Sequence, residues 1–232
     1  MRSLFLACAA AAGLLLCGCD AVTAAVDKYN PLVSFETRCA RLPPSRIEVR
    51  QRTIEIATDY DLPYHELTRL SEDNPATHRT LGLTKTEFRE TAQIEIQGLR
   101  DRRSGRACSR PQIGLDLTMA PMTVYVAREL RNNRCARDAV LEHEMKHVAA
   151  FREHMAKTAR VLDTTLPRLF GQRLIFAGDE AAAEAQVRKE LQAFLTEFTA
   201  SNARELKERQ AAVDTPEEYA RVNGACGGIR IE

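Results

Sequence analysis

The chain has 232 residues, 44% of them hydrophobic and 28% charged, with a formal net charge of +1. That length buries one sizeable core and suits a single domain, and the near-neutral charge excludes the broad basic surface of a nucleic-acid binder. Trp is absent and aromatic residues make up 6%, so the core must rest on Leu, Ile, Val and Ala.

The first predicted element is an export signal over residues 1–18. Arg2 supplies a positive charge, and Leu4 to Leu16 runs apolar, too short to span a bilayer but suited to a signal-peptide core. The run closes on Leu16-Cys17-Gly18-Cys19, which resembles the lipobox of bacterial lipoproteins. The resemblance implies cleavage before Cys19 and lipidation of its thiol, and several acyl chains on one residue anchor a protein stably. The alternative is an ordinary secretory signal cut near Ala24-Ala25. Asp20 resembles the inner-membrane retention signal of enterobacterial lipoproteins, a rule that does not hold in every bacterium, so the choice of membrane stays open. The expected location is the cell envelope, anchored by lipid and facing the periplasm.

Residues 19–45 read as a tether, with Asn30-Pro31 and Pro43-Pro44 and little periodicity, leaving residues 46–232 as the domain. Ile47, Val49, Ile54 and Ile56 alternate with charged residues and predict a strand. Asp61 and Pro63 open a short helix carrying Leu67 and Leu70, and residues 71–83 read as a loop. Ala92, Ile94 and Ile96 predict a second strand, and Ser104-Gly105 a turn beside Arg102, Arg103 and Arg106, a basic cluster that suits a solvated turn. Ile113, Leu115 and Leu117 predict a third strand, which Ala120-Pro121 breaks before a fourth, Met122 to Arg128. Links this short predict an antiparallel sheet.

After Asn132-Asn133 the period becomes helical: Leu141, Met145, Val148, Arg152, Met155 and Ala159 fall three and four apart until Pro167 and Gly171 interrupt. A second long helix is predicted from about Asp179 to Arg209. Strands first and helices after make the class α+β. Four cysteines remain beyond Cys19, namely Cys39, Cys108, Cys135 and Cys226, and an oxidising compartment allows two disulfides in three connectivities. Cys108–Cys135 with Cys39–Cys226 is the expected pairing, because it would clip the sheet to the start of the next helix.

The chemistry centres on His143-Glu144-Met145-Lys146-His147. Residues four apart share a helix face, so both imidazoles can bind one Zn²⁺, with Glu144 about a hundred degrees further round to take a proton from an activated water. The sequence here resembles the zincin metallopeptidases, in which an antiparallel edge strand precedes the HExxH helix and pairs with substrate; Met122–Arg128 matches that strand by position. The resemblance covers about residues 90–190. The metzincin continuation is absent: Glu153 stands where the third His would be, no Gly precedes it, and His154 lies too far along the helix to share the ion. Gly178-Asp179-Glu180-Ala181-Ala182-Ala183-Glu184 is similar to the gluzincin second motif. That similarity implies Glu180 as third ligand, with Glu184 holding the His143 tautomer. Glu184 and Glu153 are the other candidates for the ligand, and Mn²⁺ or Co²⁺ the other metals. Tyr125, Tyr219 and Arg152 suit an oxyanion by type only. Residues 45–160 also resemble an uncharacterised bacterial family of exported zinc-dependent protease-like proteins.

The expected function is a zinc-dependent peptidase of the bacterial envelope acting on polypeptide. The alternatives are a zinc peptidase or amidase acting on peptidoglycan peptides, and a non-catalytic zinc-binding lipoprotein. An intact Glu144 and at most three protein ligands speak against the last.

Overall fold

The computed structural model describes residues 33–52, 55–71 and 79–231. The signal segment and Cys19 lie outside them, as do Ile54 and the centre of the predicted 71–83 loop. In chain order the elements are α1 (Phe35–Ala40), β1 (Ile47–Gln51), β2 (Ile56–Asp59), α2 (Tyr64–Leu70), β3 (Gly82–Arg100), β4 (Ala107–Val126), a 3₁₀ turn (Arg128–Leu130), α3 (Arg134–Phe170), β5 (Ile175–Ala177), α4 (Glu180–Ala211), α5 (Pro216–Gly224) and a 3₁₀ turn (Ala225–Gly227). The class is α+β. Among the described residues, no helix is long and apolar enough to cross a membrane.

The five-stranded sheet is built on β4. One edge of β4 pairs throughout with β3, antiparallel, from Gly82↔Val126 to Arg100↔Ala107. Its other edge is shared in succession by β5, antiparallel at Ala107–Ser109, by β1, parallel at Ile113–Leu117, and by β2, parallel at Met122–Tyr125. The sheet is therefore mixed, against the antiparallel expectation. The run 47–56 divides into β1 and β2, two short strands laid along one long neighbour in the same direction, so the chain needs no reversal between them.

Two helices, α3 and α4, cover one face of the sheet. Ile113, Leu115, Leu117 and Met119 point into the core, and after Ala120-Pro121 the phase shifts so that Met122 and Val124 do. The pairing jumps there from Phe88↔Met119 to Thr86↔Met122. β4 thus carries one extra residue, a bulge that admits a residue without an N–H. The predicted break is this bulge inside a continuous strand. Against these residues pack Val148, Met155, Leu162, Leu166 and Phe170 of α3, and Ala183, Val187 and Leu191 of α4. The other face is polar; there Arg50 makes a two-point pair with Asp116 at 3.0 and 3.2 Å.

α3 runs unbroken past Pro167, which lies in its final turn, to a cap at Gly171. α4 returns antiparallel to it: Lys157 Nζ donates to Glu205 at 2.6 and 2.7 Å, and Thr158 Oγ1 to Asn202 Oδ1 at 2.9 Å. His154 is fully buried between these helices, as a packing residue.

The disulfides differ from the expected pairing. Cys39 joins Cys108, and Cys135 joins Cys226. Cys39 reaches β4 because α1 folds onto the far end of the sheet, where Phe35, Cys39, Leu99 and Cys108 form a small core. That helix also corrects the tether, whose 35–40 portion is part of the folded body. Cys135, on the first turn of α3, sits at the opposite end from Cys108, so those two cannot meet.

Candidate metal centre

α3 begins where the Asn133 side chain accepts from the Ala136 N–H at 3.1 Å. Its regular winding then puts His143 and His147 on one face with ring centroids 4.9 Å apart. α4 ends beside them, and the turn after it carries Asp214. Thr215 then caps α5 by accepting from the Glu218 N–H at 3.1 Å, which places Glu218 in the first turn of α5. The Cys135–Cys226 disulfide fastens the end of this segment to the start of α3.

Three ligand atoms converge. His143 Nε2 and His147 Nε2 are 3.3 Å apart, and Asp214 Oδ1 lies 3.3 Å from the first and 3.2 Å from the second. Two ligands at 2.0–2.2 Å from a tetrahedral ion stand about 3.3 Å from each other, so the triangle has the size a metal demands. The outer partners fix the tautomers. His147 Nδ1–H donates to Gln210 Oε1 at 2.7 Å, while the amide end of Gln210 turns to the His147 carbonyl at 3.5 Å. His143 Nδ1–H donates to Glu218 Oε1 at 3.3 Å. Both Nε2 lone pairs therefore point, with a carboxylate oxygen, at one place. Three acceptors aimed together repel unless a cation lies between them, and the set can hold a metal ion.

Without a metal, protons compete for the same place. Burial is the largest influence on His143 and His147 and pulls both down, but hydrogen bonding to Asp214 and the Glu144 charge, with Glu218 or Gln210, leave both raised. Burial pushes Asp214 up, but the two imidazoles and the Tyr219 hydroxyl hold it well below the usual carboxylate range. Glu218 is held low by Arg221 first, then Lys146 and His143. Lys146 Nζ donates to Glu218 at 2.7 Å and Arg221 at 2.7 and 3.0 Å, so Glu218 stays a carboxylate behind His143.

Glu144 turns to the side, toward the start of β3. It is 3% exposed, and Thr84 Oγ1 donates to its Oε2 at 2.7 Å. Burial pushes its carboxyl up, against that hydrogen bond. Gly82 is required here: a Cβ would collide with Glu144 Oε1 and come within 2.7 Å of Val140 Cγ1.

Of the residues expected from sequence, His143, Glu144 and His147 come together. Glu180 and Glu184 do not. They occupy the first turns of α4, whose last turn holds Gln210, so thirty residues of helix, about 45 Å, separate Glu180 from the centre. Glu184 instead pairs with exposed Arg188 at 2.6 Å. Met122–Arg128 is not an edge strand either; its strand portion lies between β2 and β3, and β3 is the outer strand beside Glu144. Tyr125 belongs to the sheet, while the Tyr219 ring stands 5.9 Å from that of His143. Asp214, Glu218 and Gln210 were missed. The one local signal is Thr215-Pro216-Glu217-Glu218, a helix start with Pro in the first turn and a capping-box Glu, which marks a reversal directly after Asp214.

No protein-family model, curated protein or solved structure matches the chain.

Proposed function

We propose that the chain is a zinc-dependent peptidase of the bacterial envelope with His143, His147 and Asp214 as ligands and Glu144 as general base. The observation that carries the reading is the triangle of His143 Nε2, His147 Nε2 and Asp214 Oδ1 beside a buried carboxylate on the same helix. Two imidazoles and one carboxylate suit zinc, and three protein ligands are the number found in catalytic sites, whereas structural sites close with four. A zinc ion held here supplies Lewis acidity and lowers the pKa of water.

The chain's own residues do the rest. Gln210 and Glu218 hold the ring tautomers that present Nε2. Thr84 steers the Glu144 carboxylate, whose raised proton affinity suits a group that must take a proton from water and return it to the leaving amine. The outer edge of β3 beside Gly82–Thr84 bears unpaired backbone groups among the described residues, where an extended peptide can add as a strand. This two-helix, edge-strand arrangement is the zincin-like element of the proposal. The two disulfides accord with an oxidising compartment outside the cytoplasm.

The test is metal content followed by turnover. Wild type and Glu144→Gln are expected to hold about one zinc, and His143→Ala and Asp214→Ala far less. Unfolded casein and isolated peptidoglycan peptides are then offered in parallel, with Glu144→Gln as the inactive control. A folded wild type that takes up no metal overturns the reading. Zinc retention without any hydrolysis that Glu144→Gln abolishes leaves a non-catalytic metal protein.

A further inference from the structure

We propose that the tip of the β3–β4 hairpin is a membrane-contact surface that takes anionic phospholipid headgroups. The proposal rests on the envelope-lipoprotein reading and is independent of the peptidase chemistry. The turn itself is as the sequence suggested: residues 102–104 turn the chain and Gly105 has φ +73°. Its surroundings are not those of a plain solvated turn. Arg100, Arg102 and Arg103 are exposed and form no ion pair among the described residues, while the acids nearby are engaged: Asp101 with Arg38 at 4.0 Å and Glu36 with Arg106 at 3.3 Å. An uncompensated cluster of arginines is therefore concentrated at one end of a chain of net charge +1.

The same end exposes an aromatic ring. β5 pairs beside the tip, with Cys108↔Phe176, and Phe176 is 46% exposed. Its ring lies edge-on to Phe35 at 6.4 Å, and the Arg106 guanidinium stands over both rings at 5.4 and 5.9 Å. Arginines around a half-exposed Phe match a headgroup layer, which offers phosphate charge outside and acyl chain beneath.

The chain enters the body here as well. Ser34 caps α1, and α1 is tied to the tip by the Arg106–Glu36 pair and by Cys39–Cys108. The segment with the apolar run Leu4–Leu16 and Cys19 therefore joins the body at its basic end; the fourteen residues from Asp20 to Val33 reach about 50 Å at full stretch. The metal centre is at the other end. Thr84 touches Glu144, and the seventeen residues of β3 from Thr84 to Arg100 span about 50 Å. Contact at the tip would hold the centre away from the lipid. Exposed Glu180, at the start of α4 after β5, opposes the field, so Glu180→Gln should bind more tightly.

The test uses the full chain carrying Cys19→Ser, floated with neutral vesicles and with vesicles containing about 30% anionic phospholipid at low salt. Wild type should bind the anionic vesicles at least about tenfold better than the neutral ones, an increment that salt removes. Arg102→Gln with Arg103→Gln and Arg106→Gln should lower anionic binding by about fivefold per residue and leave neutral binding unchanged. The matching Lys variants should retain the increment. Equal binding of wild type to both vesicles, or an anionic increment that survives the triple Gln change in a protein with normal circular dichroism, overturns the proposal. Binding to neutral vesicles reads apolar insertion, by the N-terminal run and by Phe176 together, so the increment on anionic vesicles alone decides the proposal.

Discussion

With Asp214 replaced by Asn, the centre keeps its two imidazoles and its shape but loses the negative charge that meets both Nε2 atoms. Zinc affinity should fall by more than the 10–100-fold typical of an outer partner, while the fold survives; isothermal titration beside circular dichroism separates the two. Protons compete for the same place. His143 and His147 have raised pKa values in the metal-free fold. Their contribution to metal-free stability is therefore present below the ordinary imidazole value near 6.5 and lost as pH rises through the raised one. Metal has the opposite preference, because it needs both rings unprotonated at Nε2. Zinc affinity should drop as pH falls below the raised values, by up to about 100-fold per unit where two protons compete. An affinity flat between pH 8 and pH 5.5 would show that these rings are not the ligands. The HExxH residues were legible because their geometry is local, one helical turn. Asp214 was not, because it lies 67 residues from His147 and only the return of α4 brings it there. Glu180 was misread for the same reason: helix-forming Glu and Ala recur along α4, and nothing local says which end meets α3.

At the scale of elements, α5 is short and most of its residues are exposed, yet it carries the Glu218 behind His143. Its position depends on few groups: Val222 in a small core with Val140 and Leu130, the Lys146 and Arg221 contacts to Glu218, and the Cys135–Cys226 bond. A cross-link of that span stabilises by about 4.5 kcal/mol on the chain-entropy account. Cys135→Ser with Cys226→Ser is therefore expected to loosen α5 and the Asp214 turn before it disturbs the sheet. The measurement is zinc affinity beside the midpoint of thermal unfolding. A double variant that melts lower but binds zinc as wild type does would confine the disulfide to global stability. Elements were legible where period and length agreed, as for α3, α4 and the Ala92–Ile96 part of β3. They were not legible at the β4 bulge, where a shift in apolar phase from odd to even positions looks like two strands, nor at α1, whose six residues gain their order from burial of Phe35 and Cys39.

Across the whole molecule, the α+β class followed from the order of strands and helices, whereas strand direction did not. β1 and β2 lie parallel to β4 because both run along one strand twenty residues long, a partner that no short-range pattern reveals. The same length separates the two ends: a basic, aromatic tip beside α1 and the His143, His147 and Asp214 group beside α5. Cys135–Cys226 has a consequence for damage by proteases. The loop it closes contains His143, His147, Asp214 and Glu218, together with the connection between α3 and α4, which is exposed at Gln172 and at Gly178-Asp179. A nick in that connection opens the backbone but cannot separate the two ligand-bearing arms of the ring, which stay joined by sulfur and by the Lys157–Glu205 and Thr158–Asn202 contacts. Limited digestion there should give one band on a non-reducing gel and two on a reducing gel, and the nicked protein should take up zinc as the intact one does; once cut, the molecule becomes a two-chain protein whose metal-binding group outlasts its peptide continuity.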